Sequence, residues 1–122
     1  MRYFIKKHWR MFVLAYCFPL FVSAASHHPE DFLASIRGQP HEGQKIVQHF
    51  CSSCHAPKPL IQIGAPRMGV QQDWENRVKQ GLQVLFEHTA AGYHAMPARG
   101  GCFECSDKQL KKAIKVLLSS DK

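Results

Sequence analysis

The chain has 122 residues, of which 45% are hydrophobic and 20% charged, a composition that suits one small folded domain and excludes a disordered tail. No run of twenty apolar residues exists, so a conventional membrane-spanning helix is not expected. The formal net charge is +7, but residues 1–25 hold four of the basic residues and no acid; the remainder carries 12 basic and 9 acidic residues. Because the excess belongs mainly to this leader, a nucleic-acid partner is not expected.

Residues 1–25 have the layout of a secretory signal. A basic start is followed by the apolar stretch 11–22, and then by the small residues Ser23, Ala24 and Ala25 that signal peptidase requires. The alternative is an uncleaved amphiphilic anchor. We expect a signal peptide at 1–25, an irregular N-terminal arm at 26–41 and one domain at 42–122, exported to the periplasm.

The domain is predicted to be all-α with long loops, because no stretch alternates between apolar and polar residues with a period of two. One-face apolar spacing predicts helices over 42–50 and 73–88, the second with Gly81 inside it, where it would bend or split the helix. Proline and glycine make 56–72 and 90–105 loops.

The last helix has the clearest signals. Ser106 and Gln109 match a capping box, and apolar residues follow at helical spacing. The opposite face carries four lysines: Lys108, Lys111, Lys112 and Lys115. We expect this face to be solvated, and the alternative is a surface that attracts an acidic partner or anionic lipid.

The sequence Cys51-Ser52-Ser53-Cys54-His55 is the C-x-x-C-H attachment motif of c-type haem. Two thiols three positions apart can each add to one vinyl group of the same porphyrin, and the next residue then lies beneath the iron. We therefore predict one covalently bound haem c per chain, with His55 as an iron ligand through Nε2. Its Nδ1–H then needs an acceptor.

Two other interpretations of the cysteines were weighed. A thioredoxin-like redox site needs a βαβ setting, which this sequence lacks. Four cysteines in two C-x-x-C pairs, 51 with 54 and 102 with 105, could hold zinc. That interpretation leaves the adjacent His55 and the export signal without a role, so haem is favoured.

The second iron ligand is expected from a loop beyond the middle helix. The mature chain has two methionines, Met68 and Met96, and His88 and His94 are further candidates. Met68 follows His55 by thirteen residues, in a loop expected on the same side as that histidine. Met96, beside Pro97, can reach the opposite side, and it is the favoured ligand.

These motifs together resemble a class I monohaem cytochrome c, most closely the cytochrome c5 group. The resemblance spans about residues 43–118 and is most specific at 92–97, followed by the second C-x-x-C pair and Ser106. It implies a class I cytochrome c fold, His55 and Met96 as axial ligands, and the Pro66 carbonyl as acceptor for His55 Nδ1–H. It also implies a disulfide between Cys102 and Cys105.

The resemblance further implies that Gly43 lets the first helix of the domain cross close to the last one. The chain departs from the family pattern between His55 and Gly64. Two prolines and several apolar residues stand there, where a smaller, glycine-containing stretch is expected.

The expected function is one-electron transfer in the periplasm, between respiratory-chain partners such as a membrane reductase and a terminal oxidase that dock transiently. With two axial ligands the iron is saturated, and no catalytic triad or phosphate loop is present, so an enzyme is not expected. The alternative is a haem enzyme of the peroxidase kind, or a gas sensor, with an open sixth site. A membrane surface is a second potential contact, through an uncleaved leader or the basic helix face.

Overall fold

The computed structural model describes residues 28–119, and all regular structure within this range is helical. The predicted signal peptide lies outside the described residues. The helical segments are α1 Pro29–Ile36, α2 Glu42–Ile46, a π-helical turn Val47–Cys51, α3 Ser52–His55, α4 Gln71–Val78, α5 Leu82–Ala91, a 3-10 turn Ala98–Gly101 and α6 Asp107–Leu118.

Helix α1 corrects the expectation of an irregular arm at 26–41. Pro29 occupies the first turn, where its missing N–H costs nothing, and Glu30 and Asp31 suit the positive end of the helix dipole. Leu33 and Ile36 are buried against the core, which explains why the segment orders despite its polar composition.

The predicted helix over 42–50 continues to His55 as one helical run of three parts. It begins as α2, widens into the π-helical turn Val47–Cys51 and ends as α3. Single π turns inside α-helices are frequent at functional sites. This one immediately precedes the C-x-x-C-H motif and ends on its first cysteine.

Gly81 splits the predicted helix 73–88 into α4 and α5. Its φ of +88° lies in a region that favours glycine, and the chain resumes as a helix at Leu82. The expected split of the helix at Gly81 is thus confirmed, whereas the one-face apolar spacing does not hold across it: Val78 and Leu82 are exposed, while Leu85 is buried.

Helix α6 begins at the predicted Ser106 cap, with both hydrogen bonds of the capping box present. It crosses α2 at Gly43, where a Cβ atom would lie 2.9 Å from the Lys112 carbonyl oxygen. The core lies between α1, α2, α6 and the disulfide. It consists of Leu33, Ile36, Ile46, Val47, Cys102, Cys105, Leu110, Ala113 and Leu117.

Within residues 28–119, no helix has the length and apolar character needed to cross a membrane. The loop over residues 56–70 has no regular helix and connects α3 to α4. It is tied back to α3 by two backbone hydrogen bonds, from Ile61 N to Ser53 O and from Met68 N to His55 O. This irregular loop and the segment 92–105 frame the candidate site.

Candidate haem site

Cys51, Cys54 and His55 lie at the end of the helical run. Cys51 ends the π-helical turn, and the other two lie in α3, so helical geometry sets their relative positions. Neither cysteine is in a disulfide, and both are partly exposed. Burial, with a smaller contribution from Cys54, raises the pKa of the Cys51 thiol to about 11, so it is protonated at neutral pH.

The imidazole of His55 is buried and oriented. It is 7% exposed, and its Nδ1 lies 2.7 Å from the carbonyl oxygen of Pro66. Because a carbonyl only accepts, Nδ1 carries the hydrogen and Nε2 keeps its lone pair for a metal. The Trp74 indole stacks near the imidazole, with ring centroids 6.1 Å apart.

The Pro66 carbonyl is itself fixed by an ion pair on the next residue. Arg67 donates to Asp73 from its backbone N at 3.0 Å, from Nε at 2.8 Å and from Nη2 at 3.2 Å. Trp74 Nε1 donates to the Arg67 carbonyl oxygen at 2.9 Å. The hydrogen bond from the Arg67 guanidinium lowers the pKa of Asp73 to about 2.

The sequence reasoning did not identify this Arg67–Asp73 pair. The available signal was an arginine directly after Pro66 and an acid in the first turn of α4, six residues later. Opposite charges at that spacing are common by chance, so the pairing becomes evident only when the loop closes onto α4.

Met96 lies in a tight turn with Tyr93. Tyr93 N donates to Met96 O at 3.0 Å, and Met96 N donates to Tyr93 O at 2.9 Å. Gly92 has a φ of +87°, and a Cβ there would lie 3.0 Å from both Met96 O and Ala98 N. The phenol ring of Tyr93 stacks on His88 of α5, with centroids 4.1 Å apart, which joins the turn to that helix.

The two methionines occupy different surroundings. The segment Ala98–Gly101, which follows Met96, packs against the π-helical turn that ends at Cys51. Met68, by contrast, packs against the buried core, and its backbone N donates to the His55 carbonyl oxygen at 2.7 Å. A backbone hydrogen bond therefore holds Met68 beside His55.

Cys102 and Cys105 form a disulfide in the structure, and both are buried. Arg99 donates to the Cys105 carbonyl oxygen and, at 2.9 Å, to Asp107 Oδ1, which joins the segment after Met96 to the start of α6. The sequence reasoning missed this role of Arg99. Zinc is ligated by cysteine thiolates, and Cys102 and Cys105 have none because they are joined in the disulfide, so the four cysteines do not form a zinc site. Residues 28–119 also contain no cluster of three or more His, Cys, Asp or Glu that could hold a metal ion.

The residues present fit a covalent haem c. Two free thiols at i and i+3 are followed by an imidazole whose other nitrogen has no hydrogen-bond partner among the described residues, and Met96 precedes the segment Ala98–Gly101 that packs against the turn ending at Cys51. Haem c needs this donor set: two thiols for the thioether bonds, and a proximal histidine with an oriented ring.

The comparisons with known proteins point the same way. A family model described as cytochrome c oxidase, cbb3-type, subunit III, matches residues 38–115. Cytochrome c5 of Azotobacter vinelandii is 37% identical over 79 residues, covering 63% of this chain and 92% of the relative. Cytochrome c-555 of Prosthecochloris aestuarii is 33% identical over 85 residues, covering 63% and 83%.

Among solved structures, one match comes from the crystal structure of an electron transfer complex of nitrite reductase with cytochrome c. The matched chain has a TM-score of 0.58 and 29% sequence identity. The similarity covers 65% of this chain and 93% of that chain. Helix α1 ends at Ile36 and so lies before the part that the family model matches.

Proposed function

Since this chain is a class I monohaem cytochrome c close to the cytochrome c5 group, and is therefore an electron carrier with covalently bound haem c, we propose that it works in the periplasm with His55 and Met96 as axial ligands. The bound haem supplies a one-electron Fe(III)/Fe(II) couple. The protein holds that couple in place and controls its access to water and to partners.

The observation that carries the proposal is the geometry of His55. The Pro66 carbonyl oxygen accepts from Nδ1–H at 2.7 Å, and the bonds of Asp73 and Trp74 to Arg67 fix the backbone directly after Pro66. An imidazole fixed in one tautomer and one orientation keeps the same bond to iron in both oxidation states. Little rearrangement then accompanies the gain or loss of an electron, as a carrier requires.

Met96 is the proposed sixth ligand, and Cys51 and Cys54 are the proposed thioether positions. The packing of Ala98–Gly101 on Val47–Cys51 supports this choice, because it brings the loop after Met96 onto the helical turn that ends at the first cysteine. The disulfide between Cys102 and Cys105, with Arg99, is proposed to hold that loop on α6. A thioether ligand and burial from water favour the ferrous state and raise the potential.

The relatives are electron-transfer cytochromes, and we extend this to the proposal that the chain is not an enzyme. With both axial positions filled, no substrate has a coordination site on iron. The peroxidase-like or gas-sensing alternative requires an open or easily vacated sixth position. Nothing in residues 28–119 or in the relatives favours that alternative.

The periplasmic location rests on the leader and on the motif, because the haem c bond is made outside the cytoplasm. Redox proteins are the partners in general, as the solved complex of a similar chain with nitrite reductase supports. For this chain we propose transient docking to a membrane reductase and a terminal oxidase, through a small interface. An uncleaved leader or the lysine face of α6 would add a membrane contact.

The test is voltammetry of the purified protein, combined with its absorption spectrum with and without carbon monoxide. The expected result is a reversible one-electron couple and a reduced spectrum that carbon monoxide leaves unchanged. If the reduced wild type binds carbon monoxide immediately, the electron-carrier proposal is rejected in favour of a haem enzyme or gas sensor with an open sixth site.

A further inference from the structure

The loop over residues 57–63 exposes an unusual amount of apolar surface. Leu60 is 90% exposed, the highest value among the exposed large apolar side chains of the described residues. Ile61 and Ile63 follow at 49% and 45%. Clustered exposed apolar residues mark contact sites on soluble proteins far more often than single ones do.

The apolar loop lies directly beside the haem attachment motif. The backbone N of Ile61 donates to the carbonyl oxygen of Ser53 at 2.9 Å, and Ser53 stands between the two cysteines of the motif. The loop also lines an open cavity of about 530 Å³, whose wall includes Pro66 and Arg77. A protein that covers Leu60 is thus brought next to the segment that carries the haem.

The loop is also stiff before any partner arrives. Pro57 and Pro59 each fix their backbone φ, and the hydrogen bond to Ser53 anchors the chain just after Leu60. A preformed contact surface loses little conformational entropy on binding, which suits an encounter that must be both specific and short.

The basic residues near the loop favour a partner with an acidic surface. No acidic residue occurs between Glu42 and Asp73, and Asp73 is paired with Arg67. Lys58 is exposed two positions before Leu60. A surface that combines an apolar centre with acidic side chains at its edge is complementary to this arrangement.

We propose that loop 57–63 is the docking surface of this protein, and that its occupant is a redox protein that seats Leu60 in an apolar depression bordered by carboxylates. This inference rests on the proposed function, because it names the partner surface used by the electron carrier. It assigns recognition to residues that neither ligate iron nor form the core.

A gold electrode coated with a mixed monolayer of methyl-terminated and carboxylate-terminated thiols serves as the probe. The protein concentration for half-maximal adsorption is measured by mass, and the electron-exchange rate by voltammetry. Leu60→Ser is compared with the matched variant Leu82→Ser, which removes an exposed leucine from α5. We expect Leu60→Ser to raise the half-adsorption concentration about tenfold and Leu82→Ser to leave it unchanged. Equal values for the two variants would overturn the proposal.

The charge component is tested with Lys58→Glu and the control Lys115→Glu on α6. At low salt Lys58→Glu should weaken adsorption and slow electron exchange several-fold, and the difference should shrink as ionic strength rises. A larger effect of Lys115→Glu would move the contact to the lysine face of α6 and contradict the loop assignment.

Two other occupants of the loop are distinguished directly. Sedimentation with phosphatidylglycerol vesicles tests a lipid surface, and analytical ultracentrifugation tests a second copy of the chain. If the wild type binds the vesicles or dimerises, and Leu60→Ser abolishes this, then the occupant of the loop is the lipid surface or the second copy and not a redox protein. The midpoint potential in solution separates this inference from the proposed function: a missing one-electron couple rejects the function, whereas a normal couple with indifferent Leu60 variants rejects only the docking surface.

Discussion

The orientation of the His55 ring depends on a series of hydrogen bonds on its Nδ1 side, through residues that do not contact its Nε2. Its Nδ1–H donates to Pro66, and the backbone next to Pro66 is held by Arg67 and Asp73. Each member has one donor or acceptor direction, so the imidazole has one tautomer and one orientation. The resemblance implied Pro66 as the acceptor, whereas Asp73 carries no motif and acts only through the folded loop.

The sixth ligand is the residue whose replacement separates a carrier from an open site. Met96→Ala removes the proposed thioether, so the sulfur-to-iron charge-transfer band of the oxidised protein should vanish and the potential should fall. Carbon monoxide should then bind the reduced form. The measurements are absorption spectroscopy and voltammetry of the purified variant.

Met68→Ala is the internal control, because it deletes the same side chain from a position packed on the core. It should keep the band and lower the free energy of unfolding by about 1–2 kcal/mol, less than for a fully buried methionine, because Met68 is only partly buried. A band that survives in Met96→Ala and disappears in Met68→Ala would assign the ligand to the wrong methionine.

At the scale of elements, α2 and α6 cross closely at Gly43. A Cβ on Gly43 would lie 2.9 Å from the Lys112 carbonyl oxygen and 3.0 Å from Val116 Cγ2. Gly43→Ala should therefore lower the free energy of unfolding by about 1–3 kcal/mol through overpacking, despite the better helix propensity of alanine. Urea unfolding gives the value, with Gln44→Ala, an exposed neighbour in α2, as the neutral control. Equal stability of Gly43→Ala and wild type would contradict the tight crossing.

The same crossing contains a buried carboxylate. Glu42 is 3% exposed; its Oε2 accepts from the backbone N of Gly38 at 3.0 Å and from Lys112 Nζ. The hydrogen bond from Lys112 lowers the pKa of Glu42 from its ordinary value of 4.5. The ionised carboxylate therefore stabilises the fold above pH 4.5, and this contribution is lost as the pH falls through the lower pKa of the folded state.

Glu42→Gln should consequently reduce the free energy of unfolding at pH 7 by about 1–2 kcal/mol and flatten its decline as the pH is lowered from 7 through and below 4.5. Urea unfolding across this range measures both effects. Glu75→Gln breaks an exposed pair with Lys79 on α4 and should change neither. An unchanged pH profile in Glu42→Gln would assign the acid sensitivity to other carboxylates.

The elements also show what sequence patterns can and cannot determine. The cap at Ser106 was predicted to the residue, because a capping box is a local contact between neighbours. Helix α1 was missed, because its order comes from burial of Leu33 and Ile36 against distant residues. Gly81 was expected to bend or split the helix over 73–88, but the exposure of Val78 and Leu82 was not predicted, because a periodicity count assumes one continuous helix.

At the scale of the whole molecule, the described helices are short, and long loops separate them. The longest helix has 12 residues, and helices of this length are marginal in water by themselves. The fold therefore depends on links across the chain: the core around α6, the disulfide between Cys102 and Cys105, and the covalent haem c, for which Cys51 and Cys54 are the proposed attachment points. The C-x-x-C-H motif predicts the haem link from the sequence alone. The exposed loop 57–63 carries no motif, and its proposed role follows only from its position beside Ser53 in the fold.

The mass and the alkylation pattern of the intact exported protein test the haem bonds, the disulfide and the removal of the leader together. If the leader is removed after Ala24 or Ala25, Cys17 leaves with it, and the exported chain retains four cysteines. Two are then in thioether bonds and two in the disulfide. The mass should equal the shortened chain plus one haem, minus two hydrogens. Alkylation under denaturing, non-reducing conditions should add nothing, and prior reduction should expose two thiols, at Cys102 and Cys105. Alkylation at Cys17 would show that the leader is retained, which favours the uncleaved anchor over the signal peptide. Free thiols at Cys102 and Cys105 before reduction would contradict the disulfide.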